Sequence, residues 1–293
     1  MRELKMTVTE EQAGRRVQSL LKERFGFAAS LLSHLKYVPG TVRKNGEEAR
    51  LADRAEVGDV LTVYLESSGG VKGEFPLPVL YEDEDLLVIS KPAGMAVYGA
   101  AERADTVESF WKAEQGENIP FHAVNRLDRG TSGLMVLAKN GHAHDRLRGM
   151  LHTEDFQRSY LALVAGEVTP ESGKIDLPIH RENRKSFISE EGKAAVTLYE
   201  TTAKGGGCTL LRLQLMTGRT HQIRVHCAAI GHPLLGDALY GGDREMLQHP
   251  ALHSASISLR QPVTGELIRV EAELPEDMQA LCLHLGMKKW GLE

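Results

Sequence analysis

Strand-like runs outnumber helical ones in this sequence, and the two do not alternate at the spacing of a repeated βαβ unit. That pattern argues against a helix-wrapped parallel sheet and predicts an α+β fold with a mainly antiparallel sheet. Residues 86–89 form a short apolar run closed by Lys91 and Pro92, and 134–138 form a second. Residues 160–164 form a third, with Gly166 as its stop, while 209–216 and 267–272 read as strands. Residues 141–151 and 221–230 have helical spacing, the latter with Thr220 as cap and Gly231 as stop. Gly205-Gly206-Gly207 lacks a phosphate-loop lysine and a following helix, so it reads as a hairpin tip.

The first part of the chain has its own organisation. Ser67-Ser68-Gly69-Gly70 is small, polar and flexible, as in a linker. Before it, residues 14–25 place Val17, Leu20 and Leu21 at helical spacing, and Ser30 is a candidate cap for a short helix through Leu35. Residues 41–47 read as a strand entering an Asn45-Gly46 turn, and 57–65 as a turn and a closing strand. The expected division is a small α/β domain over 1–66, a linker over 67–74 and a larger domain over 75–293.

Charge adds a second asymmetry. The 293 residues carry 35 Lys and Arg against 40 Asp and Glu, a net charge of −5, which weakly disfavours nucleic acid as a partner. Residues 1–50, however, hold ten basic groups against six acidic ones, whereas 51–85 are acid-rich. Local field matters more than the total for binding an anion. No apolar run approaches the roughly 20 residues of a membrane helix, and residues 1–12 have no signal-like apolar core. The three cysteines, Cys208, Cys227 and Cys282, are far apart and form no CxxC pair. The expectation is a soluble cytoplasmic protein with no disulfide framework and no zinc site.

Four polar stretches stand out. Asn125-Arg126-Leu127-Asp128-Arg129-Gly130-Thr131-Ser132-Gly133 presents a carboxylate between two arginines on a Gly-flanked loop before a strand. Gly218-Arg219-Thr220-His221-Gln222-Ile223-Arg224 places two arginines at a strand-to-helix turn, where a phosphate or a carboxylate is readily met. Arg158-Ser159-Tyr160 opens a strand, and Lys91-Pro92-Ala93-Gly94 ends one. Taken singly, each is more simply read as an ordinary turn, a solvated charge or a half-buried tyrosine.

Together and in this order, these stretches resemble the RluA-type family of RNA pseudouridine synthases. Residues 231–240 and His253-Ser254-Ala255 fit the same pattern, and the resemblance spans roughly 75–275. Residues 9–66 look, more loosely, like an RNA-binding module shared with a small-subunit ribosomal protein. The resemblance implies the pseudouridine synthase fold and a cofactor-free, metal-free isomerase acting on RNA. It makes Asp128 the catalytic carboxylate, Tyr160 the residue against the uracil ring and Arg224 the basic partner of the aspartate. Arg126, Asn125, Arg219, His221, Gln222 and Lys91 would bind substrate. Asp128 would stabilise the anomeric centre, attack it or take a proton from the sugar; the sequence does not choose. Ribosomal RNA is the favoured substrate by family precedent, with transfer RNA next, no obligatory protein partner and a monomer as the default state. Asn125 stands where the family usually has His, and Arg158 where it usually has Lys. The competing reading is an inactive RNA-binding or ribosome-assembly factor of the same fold, for which Asn125 is the one supporting feature. A nucleoside or glycan hydrolase is a third reading, but it would need a second carboxylate at a set distance.

Overall fold

The computed structural model describes residues 1–69, 75–99, 105–183 and 185–287. At the N-terminus, β1 (Arg2–Thr7), α1 (Val17–Phe25), α2 (Ala29–Leu35), β2 (Val42–Lys44), β3 (Glu47–Glu48) and β4 (Val60–Leu65) follow in order. The four strands form a sheet of order β1-β4-β2-β3. Asn45 and Gly46 take φ of 53° and 87° between β2 and β3, the left-handed pair that a tight hairpin demands. Helix α2 begins at Ala29 with Ala28 in the capping position, so Ser30 is not its cap; α1 ends on Gly26 at φ 69°. Leu20, Leu21, Leu61 and Val63 fill this unit's own core.

The remaining elements are β5 (Val79–Glu82), β6 (Leu86–Lys91), α3 (Val107–Gln115), β7 (His122–Ala123), β8 (Ser132–Ala138), α4 (Gly141–Met150), β9 (Phe156–Ala165) and β10 (Ser172–Asp176). After them come β11 (Ile179–Glu182), β12 (Lys185–Ile188), β13 (Val196–Gly205), β14 (Cys208–Leu215), α5 (Gln222–Ala229), β15 (Leu252–Arg260), β16 (Leu267–Glu271) and α6 (Glu276–His284). The main sheet runs β10-β13-β14-β9-β15-β8-β6-β5, with β16 beside β15 and β7 beside β8. Among the described residues its one parallel pairing joins β15 to β8 and the rest is antiparallel, the α+β arrangement that the irregular strand spacing predicts. The sheet is covered on both faces. Trp111 of α3 and Ile223 and Cys227 of α5 pack with Met135, Tyr160 and Leu213, whereas Ala143 and Leu147 of α4 pack with Val136 and Ile257.

The two units are tied together. Arg2 donates from Nε to Asp85 Oδ1 at 3.0 Å and from NH2 to Oδ2 at 3.1 Å, and Phe27 meets His142 edge-on at 4.7 Å. Asp85 is fully buried, a different fate from that expected of an acid-rich surface run. The expected linker is not wholly free. Ser68 is buried and donates to Lys139 O through its N at 2.7 Å and its Oγ at 3.0 Å. Residues 70–74 of that segment lie outside the described residues.

Candidate active site

Asp128 sits in the loop between β7 and β8, and three devices shape that loop. A turn closes on it through Thr131 N to Asp128 O at 3.1 Å. Gly133, at φ 105°, lets β8 approach β15 closely; a Cβ there would lie 2.6 Å from Ser254 N. Asn125 is buried and bridges two strand positions, accepting from Val136 N at 2.8 Å and donating to Leu134 O at 3.3 Å.

Lys91 lies beneath the loop, fully buried. Its ammonium donates to Pro92 O and Met95 O, each at 2.9 Å, and to Arg129 O at 3.4 Å. Burial pulls its pKa down to about 8, and the Asp128 charge opposes that shift. Arg129 Nε and the Gly94 and Arg129 backbone complete the clamp, at 2.7 Å and 2.8 Å.

The facing wall comes from the turn into α5. His221, not Thr220, occupies the capping position, and its φ of 57° is left-handed, a strained choice for a residue with a side chain. Its Nδ1 meets the Tyr240 hydroxyl at 2.8 Å, and its Nε2 lies 3.8 Å from Asp128 Oδ2. Burial holds the His221 imidazole below the usual range; Asp128 opposes this and Arg224 adds to it. Arg224 is buried. Its Nε and NH2 bond Asp237 at 2.6 Å and 2.7 Å, a bidentate fork, while NH1 stands 3.5 Å from Asp128 Oδ2. The Tyr240 ring lies 5.0 Å from the guanidinium carbon.

A pocket of about 70 Å³ opens between these walls, lined by Asp128, Tyr160, Arg126, Arg219, His221 and Arg224 among others. Tyr160, from the sheet centre, is 4% exposed and packs in the cluster that holds Leu213, Ile223 and Leu252. Arg126 and Arg219 are exposed at the rim. The closest approaches of Arg224 and His221 to Asp128 are both to Oδ2.

Three residues expected to bind substrate are otherwise engaged. Lys91 and Asn125 are buried in backbone contacts away from the pocket. Gln222 borders the pocket, but its amide is saturated. Its Oε1 accepts from Thr217 and from Arg219 N, and its Nε2 donates to Val196 O and Thr197. All three shape the loops that hold the pocket. Conversely, Asp237 and Tyr240 belong to the site but carried no assigned role in the sequence. The signal available was physical: a buried arginine needs a carboxylate, and 231–240 supplies one acid. Among the described residues no cluster of three or more His, Cys, Asp or Glu could hold a metal ion, and no helix is long and apolar enough to cross a membrane.

Comparison with known proteins agrees with this geometry. A family model described as RNA pseudouridylate synthase matches residues 85–229. The uncharacterized RNA pseudouridine synthase YjbO of Bacillus subtilis is 36% identical, covering 87% of this chain and 94% of its own. Ribosomal large subunit pseudouridine synthase D of Vibrio cholerae is 38% identical over 97% of this chain and 95% of its own. In structure, human RNA pseudouridylate synthase domain containing 4 shares the fold, with a TM-score of 0.59 over 71% of this chain and 92% of that one, at 24% identity. The Vibrio cholerae relative spans nearly the whole chain and the family model spans the segment that carries Asp128, and the chain belongs to the RNA pseudouridine synthase family of isomerases.

Proposed function

We propose that the chain isomerises uridine to pseudouridine in structured RNA, with Asp128 as the catalytic carboxylate. The observation that carries this reading is the Asp128 carboxylate in a pocket that Tyr160 also lines, its Oδ2 flanked by Arg224 at 3.5 Å and His221 at 3.8 Å. A base inside a helix stack cannot reach such a pocket, so the nucleotide must be flipped out. Arg126 and Arg219 at the rim would hold its backbone or fill the gap left in the stack.

The reaction breaks the C1′–N1 bond and makes a C1′–C5 bond. N1 gains a proton and C5 loses one, so the balance needs no oxidant and no co-substrate. Cleavage develops positive charge at C1′, which the Asp128 carboxylate would meet. Arg224, fixed by Asp237, sets a positive charge beside Asp128 Oδ2. Tyr160 lies against the ring while uracil turns, and its hydroxyl is a candidate acceptor for the C5 proton.

Large-subunit ribosomal RNA is the preferred substrate class, because several relatives near this identity are named for it. Residues 1–66, with their basic excess before residue 51, would serve as an RNA-binding module resembling one in a small-subunit ribosomal protein. Asn125, the support for an inactive relative, is occupied in holding β8, which favours the active reading.

Tritium release from unmodified bacterial RNA labelled at uridine C5 tests the proposal. Wild type should release label and Asp128→Asn should not, with little change in RNA affinity, since phosphate contacts dominate affinity. Wild-type turnover by Asp128→Asn would sink the assignment.

A further inference from the structure

Beside the pocket lies a group of cations that no nearby acid balances. Arg158 of β9 is 7% exposed, with its guanidinium carbon 6.0 Å from the Phe156 ring. Its NH2 bonds His152 Nδ1 at 3.1 Å, and its enclosed Nε has no partner among the described residues. Among those residues no carboxylate lies within 4.0 Å of it. A buried guanidinium without a counter-ion is costly, so either the fold tolerates that cost or an outside anion relieves it. Its bonded neighbour His152 is exposed, and Glu200 and Glu271, on the opposite face of the sheet by register, lie beyond ion-pair range of Arg158.

His152 links this arginine to the pocket. It follows α4 at φ 70°, a left-handed conformation that few residues with side chains adopt. The ring lies on Gly218, where a Cβ would come within 2.7 Å of its Cε1; only glycine admits that contact. The next residue is Arg219, which lines the Asp128 pocket and spends its Nε on Ala194 O at 3.1 Å. Burial, then Arg158 and Arg219, hold the His152 imidazole below its usual range, and no acid opposes them. The local potential is therefore positive and uncompensated.

We infer that His152, Arg158 and Arg219 form a phosphate subsite that grips one backbone phosphodiester of the RNA beside the uridine pocket, with Arg158 as its buried anchor. The inference rests on the reading that the Asp128 pocket takes the uridine. A phosphodiester suits the site: its single negative charge supplies the missing counter-ion. Gly218 then has a stated purpose, because any side chain there would push His152 off Arg158.

The test uses the full chain carrying Asp128→Asn, so that no turnover occurs, with an unmodified ribosomal RNA transcript as probe. Affinity is measured across a salt series for Arg158→Gln, Arg158→Lys and the pair His152→Gln with Arg219→Gln, the last two positions being exposed. Arg158→Gln should weaken binding about tenfold or more, and the salt slope should fall by about one. Arg158→Lys should keep the slope, and the exposed pair should lower both quantities. An unchanged affinity and slope in both Arg158→Gln and the exposed pair overturns the inference. So does weaker binding at an unchanged slope with a lower melting temperature, which marks Arg158 as purely structural. Tritium release by the Asp128 form reports separately on whether uridine is isomerised at all.

Discussion

Asp237→Asn is the change that most sharply separates holding from chemistry. Arg224 and Asp237 are both buried and share two bonds at 2.6 Å and 2.7 Å, while Arg224 NH1 waits 3.5 Å from Asp128. The asparagine keeps the shape but removes the charge, and its amide N–H faces an arginine N–H. Breaking a buried pair on one side typically costs about 3–5 kcal/mol. Since the substitution leaves one acceptor, about 3 kcal/mol is expected, or a melting point lower by roughly 6–12 °C for a domain of this size. The orphaned guanidinium then has one anion left, Asp128, and closing that gap draws the carboxylate toward α5. Tritium release per folded molecule should therefore fall more than about tenfold, beyond what the lost stability explains at a temperature where the variant is still native. A variant that melts within about 2 °C of wild type and turns over equally would refute the view that Asp237 holds Arg224 in place.

Three further outcomes follow from the same geometry. Gly133→Ala adds a Cβ 2.6 Å from Ser254 N at a φ of 105°, so thermal melting should show a loss of more than about 3 kcal/mol or no soluble protein; a melt like wild type would show that β8 and β15 can move apart freely. Asn125→Ala orphans Val136 N and loosens β8, and circular dichroism melts should report about 1–3 kcal/mol of destabilisation. Lys91→Met tests linkage. The native Lys91 pKa is held to about 8 against 10.5, so between those values the unfolded chain binds more protons and native stability rises with pH. Chemical denaturation from about pH 7 to about pH 10 should show wild type gaining about 2–3 kcal/mol on the methionine variant, and a constant gap would remove the buried charge as its cause.

Local signals in the sequence were read well where the structure is local. The Asn45-Gly46 hairpin, the spacing of α4 and the glycine stop after α5 each depend on neighbours in the chain. Strand β1 has no such local signal because its partner is far away: Arg2 pairs with Leu65 and Thr7 with Val60, and a lone alternating run beside charged residues has no signature of its own. The capping residue of α5 is His221 rather than Thr220, because the rule for caps assumes a relaxed turn and His221 is left-handed, with its Nδ1 on the Tyr240 hydroxyl. The site divides in the same way. Motif order brought out Asp128, Tyr160 and Arg224, which surround one pocket. It did not separate residues that face the pocket from residues that build it, because a tight loop also needs buried amides and a buried ammonium. Asn125, Lys91 and Gln222 are of the second kind, each satisfied by backbone carbonyls or amides. Asp237 and Tyr240 reach the pocket from the segment beyond α5, and His152 nears it from the end of α4, brought there by the order of strands in the sheet. Polar residues in such motifs thus divide by burial and by spare hydrogen-bonding capacity. By that measure Asp128, whose nearest partners stand 3.5 Å and 3.8 Å away, and Arg158, with no carboxylate in ion-pair range among the described residues, are the groups with charge to spare for RNA.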